Sequence, residues 1–188
     1  MMIYIPNILT LIRIGLVPVF LVLLQDQQFF WSLYVFLVAG ISDGLDGFIA
    51  KRFNAQTKLG TLLDPLADKA LLVSAYIMLS VMQLIPFWLM VVVVFRDLVI
   101  VGGYLLFVLF FSTVKMAPIR VSKLNTFLQI VFILCVLVSL SWKLDITMML
   151  NILSYAVLVT GVMSGFIYVW VWSIKAMNLS ESKESDVR

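Results

Sequence analysis

The sequence predicts an all-α integral membrane protein of six transmembrane helices around a polar cavity that faces the cytoplasm. Three observations carry this. The chain is 63% hydrophobic, with a mean hydropathy of +1.13, far above a soluble globular domain. Its apolar residues fall into six long runs separated by short polar breaks. Its basic residues gather in alternate breaks rather than in every one. The 188 residues form one compact membrane domain, 1–179, followed by a polar tail, 180–188, that is expected to fray.

The spans lie near 8–24, 29–50, 62–82, 86–111, 121–140 and 148–174. Each is close to the roughly 20 residues a helix needs to cross the hydrocarbon core. Arg13 interrupts the first run and no small-residue cleavage site follows it, which argues for a span rather than a signal peptide. Gln25-Asp26-Gln27-Gln28 separates the first two spans, Pro86 suits the first turn of the fourth, and Trp142-Lys143-Leu144-Asp145 separates the last two. No internal repeat or low-complexity segment is present.

Orientation follows from the loop cations. Lys51, Arg52 and Lys58 follow the second span, Lys115, Arg120 and Lys123 follow the fourth, and Lys175, Lys183 and Arg188 follow the sixth. The opposite loops carry Lys143 alone. Both termini and the loop after the second span are therefore expected in the cytoplasm. The expected location is a bacterial inner membrane. The single cysteine, Cys135, excludes a disulfide framework, and the absence of histidine removes the commonest general base and metal ligand. A net charge of +3 without a basic stripe gives no reason to expect nucleic acid as a partner.

Four acids break the apolar pattern: Asp43, Asp46, Asp64 and Asp68. A charge at the bilayer centre costs roughly 2.5–3.5 kcal/mol on insertion scales, so four unpaired could cost on the order of 10 kcal/mol. Asp43 and Asp46 are three residues apart and Asp64 and Asp68 four apart, so each pair shares a helix face. A loop of about ten residues joins the two helices, which makes them antiparallel neighbours with all four carboxylates at one depth. The nearby cations Lys51, Arg52 and Lys58 can snorkel to water, which leaves a bound divalent metal as the compensating charge. An all-oxygen ligand set favours Mg²⁺ or Mn²⁺. Gly44, Gly47 and Ala50 leave the second helix nearly bare beside the acids, a pattern that suits helix packing as well as close approach of a bulky ligand.

At Asp43, Asp46, Gly47, Ala50, Gly60, Asp64 and Asp68 the chain resembles the CDP-alcohol phosphotransferases, a family of phosphatidyltransferases. Lys51 stands where that family usually has arginine, with Arg52 next to it, and either can take the role. Asn7, Thr10 and Arg13 are similar to the phosphatidyl-transferring members. The resemblance implies a six-helix fold, a homodimer, and CDP-diacylglycerol as donor. It implies two metal ions held by Asp43, Asp46 and Asp64, with Asp68 at the same site as general base. It also implies that Gly47, Ala50, Lys51 and Arg52 accommodate the nucleotide, and that an alcohol oxygen displaces CMP.

The acceptor-binding candidates are Arg96, Lys115, Arg120 and Lys123. Arg96 and Asp97 lie mid-span, where ionisable residues are functional or paired across helices, and their neighbouring positions diverge by about 100°. Lys115, Arg120 and Lys123 suit either an acceptor phosphate or membrane-surface anchoring. Two sublineages compete: enzymes that use phosphatidylglycerol, the eukaryotic-type cardiolipin synthases, and enzymes that use glycerol 3-phosphate, the phosphatidylglycerophosphate synthases. Arg96-Asp97, the Ser122–Thr126 segment and Gln129 lean toward the first. Intramembrane acids also mark ion-coupled transporters. That reading predicts broken helices and a repeated half, and it leaves the carboxylate spacing without a reason.

Overall fold

The computed structural model describes residues 5–53, 58–111 and 120–185, with side chains described for 12–42, 69–103 and 121–171. Within these residues the chain is all-helical, without strands: α1 Ile5–Gln25, α2 Phe29–Phe53, α3 Lys58–Val81, α4 Phe87–Phe111, α5 Arg120–Trp142 and α6 Thr147–Ser185. The bounds follow the sequence pattern closely, with three differences. Helices α2 and α3 both run further into the segment between them than the hydropathy suggests, leaving 54–57 between them rather than a ten-residue loop. Helix α6 continues through Ser185, where a frayed tail is predicted. Glu181, Lys183 and Glu184 are good helix formers, so the end of the apolar run does not end the helix.

Two stretches are long and apolar enough to cross a membrane, Val121–Trp142 and Thr147–Val171, and Ile12–Gln25, Phe29–Ser42 and Lys69–Val81 are shorter apolar helices. Residues 14–25, 27–42, 70–95 and 124–142 carry no charged side chain.

Helix α1 packs against both α2 and α3, α5 against α6 and α2, and α4 against α3 and α6. Among the described residues α1 and α5 each pack against both α2 and α3; the acid-bearing stretches of α2 and α3, where the two are expected to be direct neighbours, lie outside the described side chains.

Among the described residues a buried core joins α1, α3, α4 and α5. Phe20 and Leu24 of α1, Tyr76 and Leu79 of α3, Leu89 and Val93 of α4, and Phe132 and Leu137 of α5 are buried there. Phe20 and Phe36 pack with ring centroids 5.7 Å apart, and Tyr76 stacks on Phe132 at 5.9 Å. Aromatic side chains pair at the end of the bundle where α1, α3 and α5 finish: Phe30 meets Trp142 edge-on at 5.8 Å and Trp88 stacks on Tyr155 at 5.8 Å. Amphipathic rings at helix ends are the signature of a membrane–water boundary.

The three outer turns use one device. Gln27, Gln83 and Lys143 have φ of 57°, 59° and 50°. Gln28 N–H reaches back to Leu23 O at 2.9 Å, Leu84 N–H to Leu79 O at 2.9 Å and Leu144 N–H to Ser139 O at 3.0 Å. These are six-to-one C-cap bonds around a left-handed residue. They close α1, α3 and α5 within a residue or two and return the chain at once. After the third turn, Asp145 Oδ1 accepts from Thr147 Oγ1 at 2.8 Å and Thr147 N–H at 3.3 Å, capping α6. The hydroxyl hydrogen bond, then the backbone one, holds the Asp145 carboxyl below its ordinary range.

Candidate active site

The apolar core gives way to a polar layer at the charge boundary of the helices. Lys69 opens α3's charge-free run from one side, and Arg96 and Asp97 close it in α4. Lys69 Nζ donates to Asp97 Oδ1 at 3.1 Å and lies 3.1 Å from Oδ2. It also donates to Thr126 Oγ1 of α5 at 3.4 Å, while Thr126 gives its own proton to Ser122 O at 3.2 Å. Arg96 Nη1 donates to the same Asp97 Oδ1 at 2.6 Å. Arg96 Nη2 reaches Ser164 Oγ of α6 at 3.0 Å, Ser122 O at 3.3 Å and the Ser122 hydroxyl. Arg96 and Asp97 are 4% and 3% exposed, so this is a buried ionic network joining α3, α4, α5 and α6.

The divergence of adjacent helix positions therefore did not keep Arg96 from Asp97. The arginine stem is long enough to bring its guanidinium round to the neighbouring carboxylate. Helix α5 supplies the rest of the layer from one face: Ser122, Asn125, Thr126 and Gln129 follow helical spacing. Asn125 Oδ1 lies 2.9 Å from Thr160 Oγ1. Gln129 is fully buried, and neither polar atom of its side chain has a hydrogen-bond partner.

A cavity of about 210 Å³ lies beside this layer, bounded by α1, α2, α3 and α5. Arg13, Lys69 and Thr126 form its polar wall, and Phe36, Leu71, Leu72 and Ile130 contribute to its apolar wall. Ala39 and Gly40 line it from α2. One turn further along the same helix comes Asp43, and Asp68 immediately precedes Lys69 on α3. The gap between α2 and α3 is thus where the cavity sits, on the α2 and α3 stretches that lead into the two acid pairs.

The side chains of Asp43, Asp46, Asp64 and Asp68 lie outside the described ones, as do those of Gly47, Ala50, Lys51, Arg52 and Arg120, and Lys115 lies outside the described residues altogether. Helix bounds place Asp43 and Asp46 on α2 and Asp64 and Asp68 on α3. Among the described residues there is no group of three or more His, Cys, Asp or Glu side chains. Of the acceptor-binding candidates, Arg96 is walled into the ionic network and Lys123 is exposed on α5. Lys69, a cation near the acid pairs in sequence, and Thr126, in the Ser122–Thr126 segment, are site residues that hydropathy and the acid motif do not single out. The available signal was position: Lys69 stands at the mouth of the charge-free run 70–95, and Thr126 is one turn beyond Ser122.

The sequence model of CDP-alcohol phosphatidyltransferases matches residues 3–170, most of the chain and all of the acid-bearing hairpin. The chain belongs to the CDP-alcohol phosphatidyltransferase family. Its relatives within that family carry two kinds of name. A cardiolipin synthase (CMP-forming) of Rattus norvegicus is 36% identical over 146 residues, 69% of this chain and 48% of the relative. A CDP-diacylglycerol–glycerol-3-phosphate 3-phosphatidyltransferase of Bacillus subtilis is 32% identical over 142 residues, 67% of this chain and 72% of the relative. A probable phosphatidylglycerophosphate synthase of Mycobacterium tuberculosis is 34% identical over 174 residues, 87% of this chain and 78% of the relative. The chain spans about half the length of the animal cardiolipin synthases it matches.

Proposed function

We propose that this chain transfers a phosphatidyl group from CDP-diacylglycerol to an alcohol, with release of CMP, and that the acceptor is phosphatidylglycerol. The observation that carries the reaction is the acid signature Asp43, Asp46, Asp64 and Asp68 within the family-matched stretch, on two helices that flank a cavity with a polar and an apolar wall. All-oxygen donors at one-turn spacing fit a hard divalent cation. Asp43, Asp46 and Asp64, with Asp68 beside them, would hold two Mg²⁺ or Mn²⁺ ions. When bound, these supply charge neutralisation for the diphosphate and the departing nucleotide.

Asp68 takes the proton of the acceptor hydroxyl. The acceptor oxygen forms a bond to the phosphorus that carries diacylglycerol, the bond from that phosphorus to the CMP oxygen breaks, and CMP leaves with the electron pair. Gly47 and Ala50 make room for the nucleotide, and Lys51 or Arg52 pairs with its phosphate. Arg120, Lys115 and Lys123 hold the acceptor near the membrane surface, with Arg96 stiffening the bundle behind it. The domain covers 1–179, the six helices all span the bilayer, the cavity and both termini face the cytoplasm of a bacterium, and the enzyme works as a homodimer.

The test is CMP release from CDP-diacylglycerol by purified protein, with phosphatidylglycerol and radiolabelled glycerol 3-phosphate offered in parallel. Cardiolipin should form, and chelation should abolish the reaction until Mg²⁺ or Mn²⁺ is restored. Asp43→Asn, Asp46→Asn and Asp64→Asn should each lower activity by at least about 100-fold. Asp68→Asn should lower turnover while CDP-lipid binding persists. Label entering lipid with no cardiolipin formed would move the acceptor to glycerol 3-phosphate. The names of the Bacillus and Mycobacterium relatives favour that second reading.

A further inference from the structure

We propose that the cavity between α1, α2, α3 and α5 is a binding site for the phosphodiester–glycerol junction of an acceptor phospholipid, with Lys69 as the cation that selects it. The proposal rests on the phosphatidyltransferase reading and names the acceptor side of that site.

The cavity has the two-sided chemistry of that junction. Arg13, Lys69 and Thr126 stand on one wall, and Phe36, Leu72 and Ile130 on the other. It also lies at the boundary of the charge-free runs 14–25, 27–42, 70–95 and 124–142, where the bundle changes from apolar to polar. A phospholipid changes character at the same place along its length. A small phosphorylated alcohol has no apolar portion to set against Phe36 and Leu72.

Lys69 is held for this task rather than left to swing. Its ammonium is fixed between Asp97 and Thr126, which contribute from α4 and α5, while its side chain is 23% exposed. Asp97 is shared with Arg96, so one carboxylate serves two cations. Lys69 and Arg13 place two cations on the cavity wall, chemistry that suits the oxygens of a phosphate group. A lysine anchored from behind presents its charge without the entropy loss of ordering a free side chain on binding.

The experiment uses the full chain in detergent–lipid micelles and four variants: Lys69→Gln, Lys69→Arg, Thr126→Val and Leu72→Trp. Each is first checked for a monodisperse folded species. In steady state, Lys69→Gln and Leu72→Trp should raise KM for phosphatidylglycerol about tenfold or more, with KM for CDP-diacylglycerol within about threefold of wild type. Thr126→Val should raise it less, and Lys69→Arg should restore it. A second arm works without turnover. Protein in excess chelator is mixed with phosphatidylglycerol or with diacylglycerol of the same chains, and the lipid retained is measured by native mass spectrometry. Wild type should retain phosphatidylglycerol over diacylglycerol, and Lys69→Gln and Leu72→Trp should lose that preference.

A KM rise confined to CDP-diacylglycerol would give the cavity to the donor and overturn the proposal. So would unchanged lipid preference in Leu72→Trp, or a Lys69-dependent KM for glycerol 3-phosphate instead of phosphatidylglycerol. If wild-type protein releases no CMP with any acceptor, the phosphatidyltransferase reading fails by itself. The retention arm then still decides whether the cavity takes a phosphodiester.

Discussion

Asp97 is the residue on which the described polar layer turns, because it answers two buried or half-buried cations from two helices. Removing one partner from a buried ion pair leaves an uncompensated charge and costs about 3–5 kcal/mol. Asp97→Asn should therefore destabilise the bundle by about that amount in detergent thermal unfolding, with loss of the α3–α4 tie through Lys69. A change below about 1 kcal/mol would show that the network holds no charge together. Gln129 makes the opposite case. Its buried amide has no partner for either polar atom, whereas its backbone carbonyl accepts from Tyr76 at 3.3 Å. An apolar side chain of similar shape removes the desolvation cost and leaves that backbone bond in place. Gln129→Met should raise stability by about 1–3 kcal/mol, read from the same unfolding curves. A fall in stability would mean that the amide has hydrogen bonds that the packing does not reveal.

At the scale of elements, the outer turns are tight because each helix ends on a left-handed residue, yet none of Gln27, Gln83 and Lys143 is glycine. A side chain at positive φ costs on the order of 1 kcal/mol relative to glycine. Gln83→Gly should relieve that cost at the α3–α4 turn and raise the unfolding midpoint, and an unchanged or lowered midpoint would show that the turn is not strained. These caps also mark what the sequence could and could not reveal. Hydropathy placed every helix, because the need for an apolar surface in a bilayer is written in composition. It missed the true ends of α2, α3 and α6, because Lys51, Arg52, Lys58 and the Ser180–Ser185 stretch are polar yet helical. The acid pairs were legible because charge inside an apolar run is costly and their spacing is local. Lys69 and Thr126 were not, because their role depends on which helices meet. Among the described residues, α1 and α5 each touch both α2 and α3, and the four helices together line the cavity.

At the scale of the whole molecule, the described residues fall into two unlike halves. One end holds the buried apolar core, the tight outer turns and the aromatic pairs Phe30–Trp142 and Trp88–Tyr155. The other end receives the charged layer of Lys69, Arg96 and Asp97 and the helix stretches that carry the four acids. Helix α6, at 39 residues, is roughly 58 Å long at 1.5 Å per residue, well beyond a hydrocarbon core of about 30 Å. It is therefore longer than a membrane crossing requires. With α6 starting at the outer turn, its far end lies on the same side as the ends of α2 and α4. Lys51 and Arg52 at the end of α2 and Lys58 at the start of α3 belong to that side, which the positive-inside rule assigns to the cytoplasm. Single cysteines at Asn54 and Lys143 in a Cys135→Ala background test this. In intact bacterial cells, a membrane-impermeant thiol reagent should label Lys143→Cys and spare Asn54→Cys, and permeabilisation should make both reactive. Labelling of Asn54→Cys from outside intact cells would invert the molecule. The acids would then face away from the cytoplasmic pool of CDP-lipid, and the proposed reaction would lose its supply of donor.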